Sequence, residues 1–222
     1  MYLVGTPIGN LGDITFRAVE VLKAANLIAA EDTRRTKVLC ERYGITAPMA
    51  SLHGHNERAR IPEMIERLKA GESIALVTDA GMPVVSDPGA RLVEVAWKAG
   101  FSVTAIPGPT AVTTALVLSG FPGDRFRFEG FAPRKAKALT EWLGRLGQEA
   151  VPVICYESPF RLKKLIQAIQ QALGEIPVVV GRELTKLHEE LTRGSTGQVL
   201  KRYTERPAKG ECTVVFWPQN KS

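Results

Sequence analysis

The stretch from Ser73 to Pro88, SIALVTDAGMPVVSDP, constrains the fold more than any other. Ile74, Ala75, Leu76 and Val77 form an unbroken apolar run with no polar alternate. Such a run suits a strand covered on both faces, the situation of parallel sheets with helices on either side. It ends in Thr78-Asp79-Ala80-Gly81-Met82-Pro83, a loop that keeps polar atoms and bare backbone together at the carboxyl end of the strand. That end is where open α/β sheets place their ligands. Asp87 and Pro88 are expected to cap and open the next helix, because an N-terminal N–H lacks a partner anyway and proline loses nothing there. Most strand-to-helix loops are plain connections, so the stretch alone does not decide a function.

The remainder of the first half repeats the pattern. Tyr2 to Val4 is a short strand, followed by a glycine-rich loop from Gly5 to Gly12 and a helical run marked by Ile14, Ala18, Val21, Leu22 and Ala25. Leu27 to Ala30 is a second strand, ending in Glu31-Asp32-Thr33-Arg34-Arg35 and a helix through about Tyr43. Ser51-Leu52-His53-Gly54-His55-Asn56-Glu57 precedes an amphipathic helix carrying Ile61, Ile65 and Leu68. A helix with Leu92, Val95 and Ala96 follows Pro88, and Ser102 to Ile106 forms another strand running into Pro107-Gly108-Pro109-Thr110-Ala111. Alternation of this kind predicts an α/β fold with a mainly parallel sheet.

Gly120-Phe121-Pro122-Gly123-Asp124 breaks the alternation and is the expected domain boundary, giving an N-terminal α/β domain over 1–119 and a C-terminal α/β domain with a mixed sheet over 120–222. In the second domain strands are expected at Arg127 to Glu129, Val151 to Tyr156, Val178 to Val180 and Thr213 to Trp217. A basic loop spans Arg134 to Lys137, with a helix around Trp142. Ser158-Pro159 is expected to cap a helix whose Leu162, Leu165, Ile166, Ile169 and Leu173 form one stripe.

Length matters here because 222 residues, 45% of them hydrophobic, can bury two small cores. The formal charge of +6 and a pI near 9.3 are compatible with an anionic partner without requiring one. Cys40, Cys155 and Cys212 are odd in number and scattered, which argues against a disulfide framework or a zinc site and for a cytoplasmic chain. No apolar run approaches the ~20 residues that span a bilayer, and no basic leader precedes the first strand. The Gly5 to Gly12 loop fits neither the dinucleotide nor the P-loop fingerprint. Close approach of backbone N–H and C=O groups in three Gly/Pro loops suits a compact polar ligand such as a nucleoside.

Val4-Gly5-Thr6-Pro7-Ile8-Gly9-Asn10-Leu11, Glu31-Asp32-Thr33-Arg34, Ser51 to Glu57, Thr78 to Pro83, Pro107 to Ala111, Glu129-Gly130-Phe131, Tyr156-Glu157-Ser158-Pro159, Gly181 to Lys186 and Lys209-Gly210-Glu211 together resemble the tetrapyrrole methylase superfamily, in its branch that modifies small-subunit ribosomal RNA. The resemblance covers essentially the whole chain. It implies a two-domain tetrapyrrole methylase-like fold, a homodimer, S-adenosylmethionine bound in the cleft, and methyl transfer to the ribose 2′-oxygen of a cytidine. Carried over residue by residue, the cofactor pocket falls on Pro7, Ala80, Gly81, Met82, Val85, Thr110, Ala111, Tyr156, Glu157, Leu184, Gly210 and Glu211. Position 82 is Met where the family usually has Thr. The chain ends at Ser222, where the family generally continues into a small helical extension.

A ribose hydroxyl is a weak nucleophile, so a base nearby contributes roughly a hundredfold or more. Glu31, Asp32, His53 and Asp79 are the candidates, and Asp32 serves equally well as a helix cap. His53 and His55 lack a third ligand at suitable spacing, so no metal is expected. Arg34, Arg35 and Lys37, with Arg134, Lys135 and Lys137, are the candidate RNA contacts, whereas Lys163 and Lys164 suit a solvated helix face. A same-fold enzyme acting on a tetrapyrrole, a diphthamide precursor or another small substrate, and a non-catalytic RNA-binding protein, are the competing readings. The basic loops argue against the first, and cofactor titration separates the second.

Overall fold

The computed structural model describes residues 1–218, and these divide into two compact units, Met1–Thr110 and the part that begins at Ala111. In the first unit, strands β1 (Tyr2–Val4), β2 (Leu27–Ala30), β3 (Met49–Ser51), β4 (Ile74–Val77) and β5 (Thr104–Ile106) alternate with helices α1 (Phe16–Ala24), α2 (Thr33–Tyr43), α3 (Glu57–Lys69) and α4 (Ala90–Lys98). The strands lie in the order β3-β2-β4-β1-β5 and every pairing is parallel.

Strand alternation explains how the helices divide. Ile28, Ala30, Ala75 and Val77 pack on one face with Ala18 and Leu22 of α1 and Leu39 and Cys40 of α2. Leu27, Ala29, Ile74 and Leu76, one residue out of phase, pack on the other face with Met64 and Leu68 of α3 and Leu92 and Ala96 of α4. The chain leaves β1 toward one edge of the sheet and β4 toward the other. Right-handed crossovers in opposite directions put the helices on opposite faces, and the loops after β1 and β4 sit where the connectivity reverses.

The second unit begins with α5 (Ala111–Ser119) and continues through β6 (Arg127–Phe131), α6 (Ala136–Leu146), β7 (Val153–Glu157), α7 (Pro159–Leu173), β8 (Pro177–Arg182), β9 (Glu190–Ser195), α8 (Thr196–Glu205) and β10 (Cys212–Phe216). Its sheet order is β6-β7-β10-β8-β9, with β6 and β7 parallel and the other pairs antiparallel. Phe216, Val214 and Cys212 on central β10 meet Trp142 and Leu143 of α6, Leu162 and Ile166 of α7 and Val199 and Tyr203 of α8. The opposite face is covered by α5, which packs against β10, β8 and β7.

Several expectations are corrected. The boundary falls at Thr110 rather than at Gly120, because Val112, Ala115, Leu116 and Ser119 of α5 are buried and the helix packs on the second sheet. Asp87 is not a cap: α4 starts at Ala90 behind Gly89, whose φ of 118° only glycine adopts easily. Ser158 occupies the N-cap position of α7 but makes no side-chain cap bond. Strands β3 and β9 and helix α8 carried too little periodic signal to be expected. Helix α8 is fixed by a capping box between Ser195 and Gln198.

Phe216 is fully buried at the middle of the second core. Phe216→Ala is expected to lower unfolding free energy by about 3–5 kcal/mol, measured by urea denaturation.

Candidate active site

Three loops close over the carboxyl ends of β1, β4 and β5, all within the first unit. Thr6 and Gly81 exchange both backbone hydrogen bonds, the Thr6 N–H donating to Gly81 O at 2.9 Å and the Gly81 N–H donating to Thr6 O at 3.0 Å. The buried Thr6 hydroxyl adds a bond to Thr78 O at 3.1 Å. Gly5 and Gly108 touch through bare backbone: a Cβ on Gly5 would stand 2.7 Å from both the Gly108 Cα and the Met82 sulfur, and one on Gly108 would stand 2.8 Å from the Gly5 Cα. No larger residue fits either place without moving main chain. Gly81 has φ +83°, and Val84 and Ser86 also hold positive φ, 76° and 64°, a strained conformation for a β-branched valine. Pro7 is buried, Met82 half-buried and Val85 exposed beside this junction.

The carboxylates of β2 and β4 gather next to these loops. Asp79 accepts from the Asp32 N–H at 3.0 Å, and Glu31 accepts from the Asp79 N–H at 3.3 Å. Asp87 belongs to the same group. Its carboxyl is pushed up to about 6, first by burial, then by the negative charge of Glu31, with a smaller push from Asp79, while the Thr78 hydroxyl opposes the shift. Asp32 differs. It caps α2 through the Arg34 N–H at 2.9 Å and holds the Arg34 guanidinium at 3.0 and 2.7 Å. That side-chain bond to Arg34 draws its carboxyl down to about 2, so it is a weak proton acceptor and a structural cap.

His53 follows β3 at the same end of the sheet, with its N–H donating to Asn56 Oδ1 at 2.8 Å and its Nδ1 accepting from the His55 N–H at 3.3 Å. No hydrogen bond links its ring to the carboxylates among the described residues. Arg34 is 89% exposed at its side chain and Arg35 63%, the latter 3.4 Å from Asp79, and Lys37 pairs with Glu41 at 3.7 Å. Arg34 and Arg35 thus border the carboxylate group through Asp32 and Asp79, whereas Lys37 pairs along its own helix.

In the second unit, Tyr156 packs edge-on against Phe128 and Phe131, with ring centroids 5.0 and 5.6 Å apart. Leu184 is buried between Glu183 and Thr185, both at positive φ, and a Cβ on Gly181 would meet it at 2.9 Å. The Gly210-Glu211 turn is tied to that loop. The Glu183 N–H donates to Glu211 O at 2.9 Å, the Glu211 N–H donates to Glu183 Oε1 at 2.8 Å, and Lys186 bridges the two carboxylates at 3.0 and 2.8 Å. Thr185 carries a buried hydroxyl oxygen without a hydrogen-bond partner. Glu157 turns its side chain toward Ser158 and Arg161 rather than along the strand. Arg134, Lys135 and Lys137 are exposed around the start of α6, so the expected basic loop is partly helical. Thr110 and Ala111 are half-buried.

Asp87 is the residue that sequence reasoning missed. Its place in Ser-Asp-Pro reads as a cap, and only the packing of the strained Val84–Ser86 loop brings it beside Glu31.

A sequence model of the family described as Tetrapyrrole (Corrin/Porphyrin) Methylases matches residues 1–200. A protein of Thermotoga maritima named ribosomal RNA small subunit methyltransferase I is 46% identical over 216 residues, covering 97% of this chain and 97% of that protein. A Synechocystis sp. protein of the same name is 48% identical over 217 residues, covering 97% of this chain and 78% of its own length. The extension expected beyond Ser222 is therefore not common to proteins of that name. Among solved structures, a cobalt precorrin-4 methyltransferase superposes with a TM-score of 0.73 at 18% identity over 97% of this chain and 93% of its own. A uroporphyrin-III-C-methyltransferase from Thermus thermophilus gives 0.68 at 18% identity over 96% and 92%. At that identity the likeness is one of fold.

Asp87 ties the site to stability. Between its ordinary value of 3.8 and about 6, the folded chain keeps a proton that the unfolded chain has released. Stability therefore falls as pH rises through that window and levels off above it. Asp87→Asn is expected to remove this slope and to raise the urea midpoint at neutral pH, read from denaturation curves collected across the window.

Proposed function

The chain belongs to the tetrapyrrole (corrin/porphyrin) methylase family, and from that premise we propose that it transfers a methyl group from S-adenosylmethionine to the ribose 2′-oxygen of a cytidine in small-subunit ribosomal RNA. The observation that carries the RNA substrate is 46% identity over 97% of both chains with a protein named for that activity. The structural neighbours that act on tetrapyrroles share only 18%, which weighs against the small-substrate reading.

The residues fit the cofactor. The loops that Gly5, Gly81 and Gly108 lock together at the strand ends present main-chain N–H and C=O groups of the kind that hold a nucleoside, and one buried hydroxyl, that of Thr185, lacks a partner. The Glu31, Asp79 and Asp87 carboxylates set a negative potential that suits a ligand bearing a sulfonium and an ammonium. Pro7, Ala80, Gly81, Met82, Val85, Thr110, Ala111, Tyr156, Leu184, Gly210 and Glu211 are the proposed contacts, with Glu157 contributing its main chain. Met82 acts through its backbone, since its sulfur packs against Gly5. When bound, S-adenosylmethionine supplies an electrophilic methyl group on a positively charged sulfur.

The rest of the work falls to the chain. Rigid loops align the hydroxyl with the methyl carbon, an effect worth up to ~7 to 11 kcal/mol of barrier. Among the carboxylates, Asp87 is the best proton acceptor: a value of about 6 leaves it ionised at neutral pH yet more basic than Asp32. Glu31 and Asp79 hold it in that state, and His53 positions the neighbouring loop through Asn56. Arg34, Arg35, Lys37, Arg134, Lys135 and Lys137 contact RNA phosphates. The protein acts in the cytoplasm as a homodimer, for which light scattering should give twice the 24.2 kDa chain mass.

The central test incubates small subunits from a methylation-deficient strain with this protein and labelled S-adenosylmethionine. The label should map to a cytidine 2′-oxygen, and label on a base or no label at all rejects the proposal. Gly108→Ala should lower turnover about a hundredfold by pushing the loops apart, whereas Gly54→Ala, whose Cβ meets nothing within 4 Å, should leave it unchanged. Equal rates for the two variants would remove the three-loop junction from the mechanism. Replacing Arg34 and Arg35 together with alanine should weaken RNA binding and flatten its salt dependence by roughly one to two log–log units with cofactor affinity retained, measured by filter binding and calorimetry.

A further inference from the structure

A pocket of about 280 Å³ opens in the second unit, lined by Pro133, Arg134, Leu139, Glu157, Arg161, Lys164 and Leu165. Helical spacing puts Arg161 and Lys164 on the same face of α7, one turn apart, and the segment before α6 brings Arg134 opposite. Three cations therefore face one carboxylate. Arg161 is fixed from behind: its Nη2 donates to Ala132 O at 2.9 Å and Pro133 O at 3.0 Å, and lies 3.2 Å from Glu157 Oε2. Glu157 is held in turn, its Oε1 accepting from the Ser158 N–H at 2.7 Å. Its side chain is 1% exposed, and Oε2 has no hydrogen bond of good geometry.

This carboxylate acts as an internal strut. It neutralises one guanidinium and locks its plane, which leaves the remaining charge of the pocket positive. Neither Arg134 nor Lys164 makes a direct ion pair among the described residues. Arg134 and Lys164 stand exposed at the rim of this apolar-walled pocket, and a preorganised arginine beside such cations is the usual phosphate receptor. Pro133, Leu139 and Leu165 supply a wall that inorganic phosphate cannot use but that a ribose or base face can. The volume lies just below the ~300 Å³ where pockets for drug-sized ligands begin, which is too small for a duplex and suited to one unstacked nucleotide.

We propose that this pocket seats a single nucleotide of the substrate strand, its phosphate on Arg134, Arg161 and Lys164 and its sugar and base against Pro133, Leu139 and Leu165. The proposal rests on the RNA reading above and gives that substrate a defined foothold in the second unit. It also separates Lys164, which lines the pocket, from Lys163, which does not.

Two arms test it with the full chain. In the first, cytidine 5′-monophosphate is titrated and followed by methyl and guanidinium NMR. It should shift the Leu139 and Leu165 methyl resonances saturably, inorganic phosphate should shift only the Arg161 and Arg134 signals, and Lys164→Glu should abolish both. In the second, a single-stranded RNA fragment of the small subunit is titrated at several salt concentrations. Lys164→Glu should weaken binding about tenfold and lower the log–log salt slope by about one unit, while Lys163→Glu changes affinity less than about twofold. If Lys163→Glu and Lys164→Glu weaken RNA equally, or if the mononucleotide leaves the leucine methyls unmoved, the pocket is not a nucleotide site even where subunits are methylated. If the mononucleotide binds as described and subunits are not methylated, the pocket stands and the ribosomal reading falls.

Discussion

The contact on which the first unit depends is backbone against backbone. Gly5 and Gly108 approach so closely that neither admits a Cβ, and the paired hydrogen bonds of Thr6 and Gly81 tie the loop after β1 to the loop after β4. Strand order makes this possible, because β1 lies between β4 and β5 and all three strands end at the same level. Once the loops are locked, the β4 loop must absorb its remaining length in a short, strained path through Val84 and Ser86. That path carries Asp87 back under Thr78. Strain in the loop and the displaced titration of Asp87 are two results of one constraint.

Charge is distributed accordingly. Acidic side chains collect at the carboxyl ends of β2 and β4, which suits the cationic cofactor proposed for the chain. Asp32 and Asp87 show how environment separates half-buried groups of one kind: the first is bonded to a guanidinium, the second is held from water near another carboxylate, and their carboxyls are drawn down to about 2 and pushed up to about 6. Only the second can exchange a proton usefully near neutrality.

The second unit uses a different device. Its strand-end loops are stitched by side chains, with Lys186 bridging Glu183 and Glu211. Burial of Glu157 beneath Arg161 organises a cationic pocket at the start of α7. A buried carboxylate is costly by itself, and here its ties to Arg161 and the Ser158 N–H offset part of that cost while holding the arginine in a single orientation.

The parallel sheet of the first unit was legible in the sequence because Leu27–Ala30 and Ile74–Val77 are apolar on every residue, which only a doubly covered strand tolerates. The glycine loops were legible for a similar reason, since Gly5, Gly81 and Gly108 stand where chain must approach chain. Local signals ended there. Strand β3, with three half-buried residues, and strand β9, mostly polar, are edge strands whose identity comes from the neighbour that binds them. Helix α5 was assigned to the wrong unit because its small apolar residues suit either sheet, and only packing chose the second. Asp87 read as a cap for the same reason: a residue's sequence neighbours fix its local geometry, but its field and its partners come from residues far along the chain. Tertiary structure placed Glu31 beside Asp87 and brought Arg134 and Lys164 to one pocket, and no periodicity in the sequence encodes a proximity of that kind.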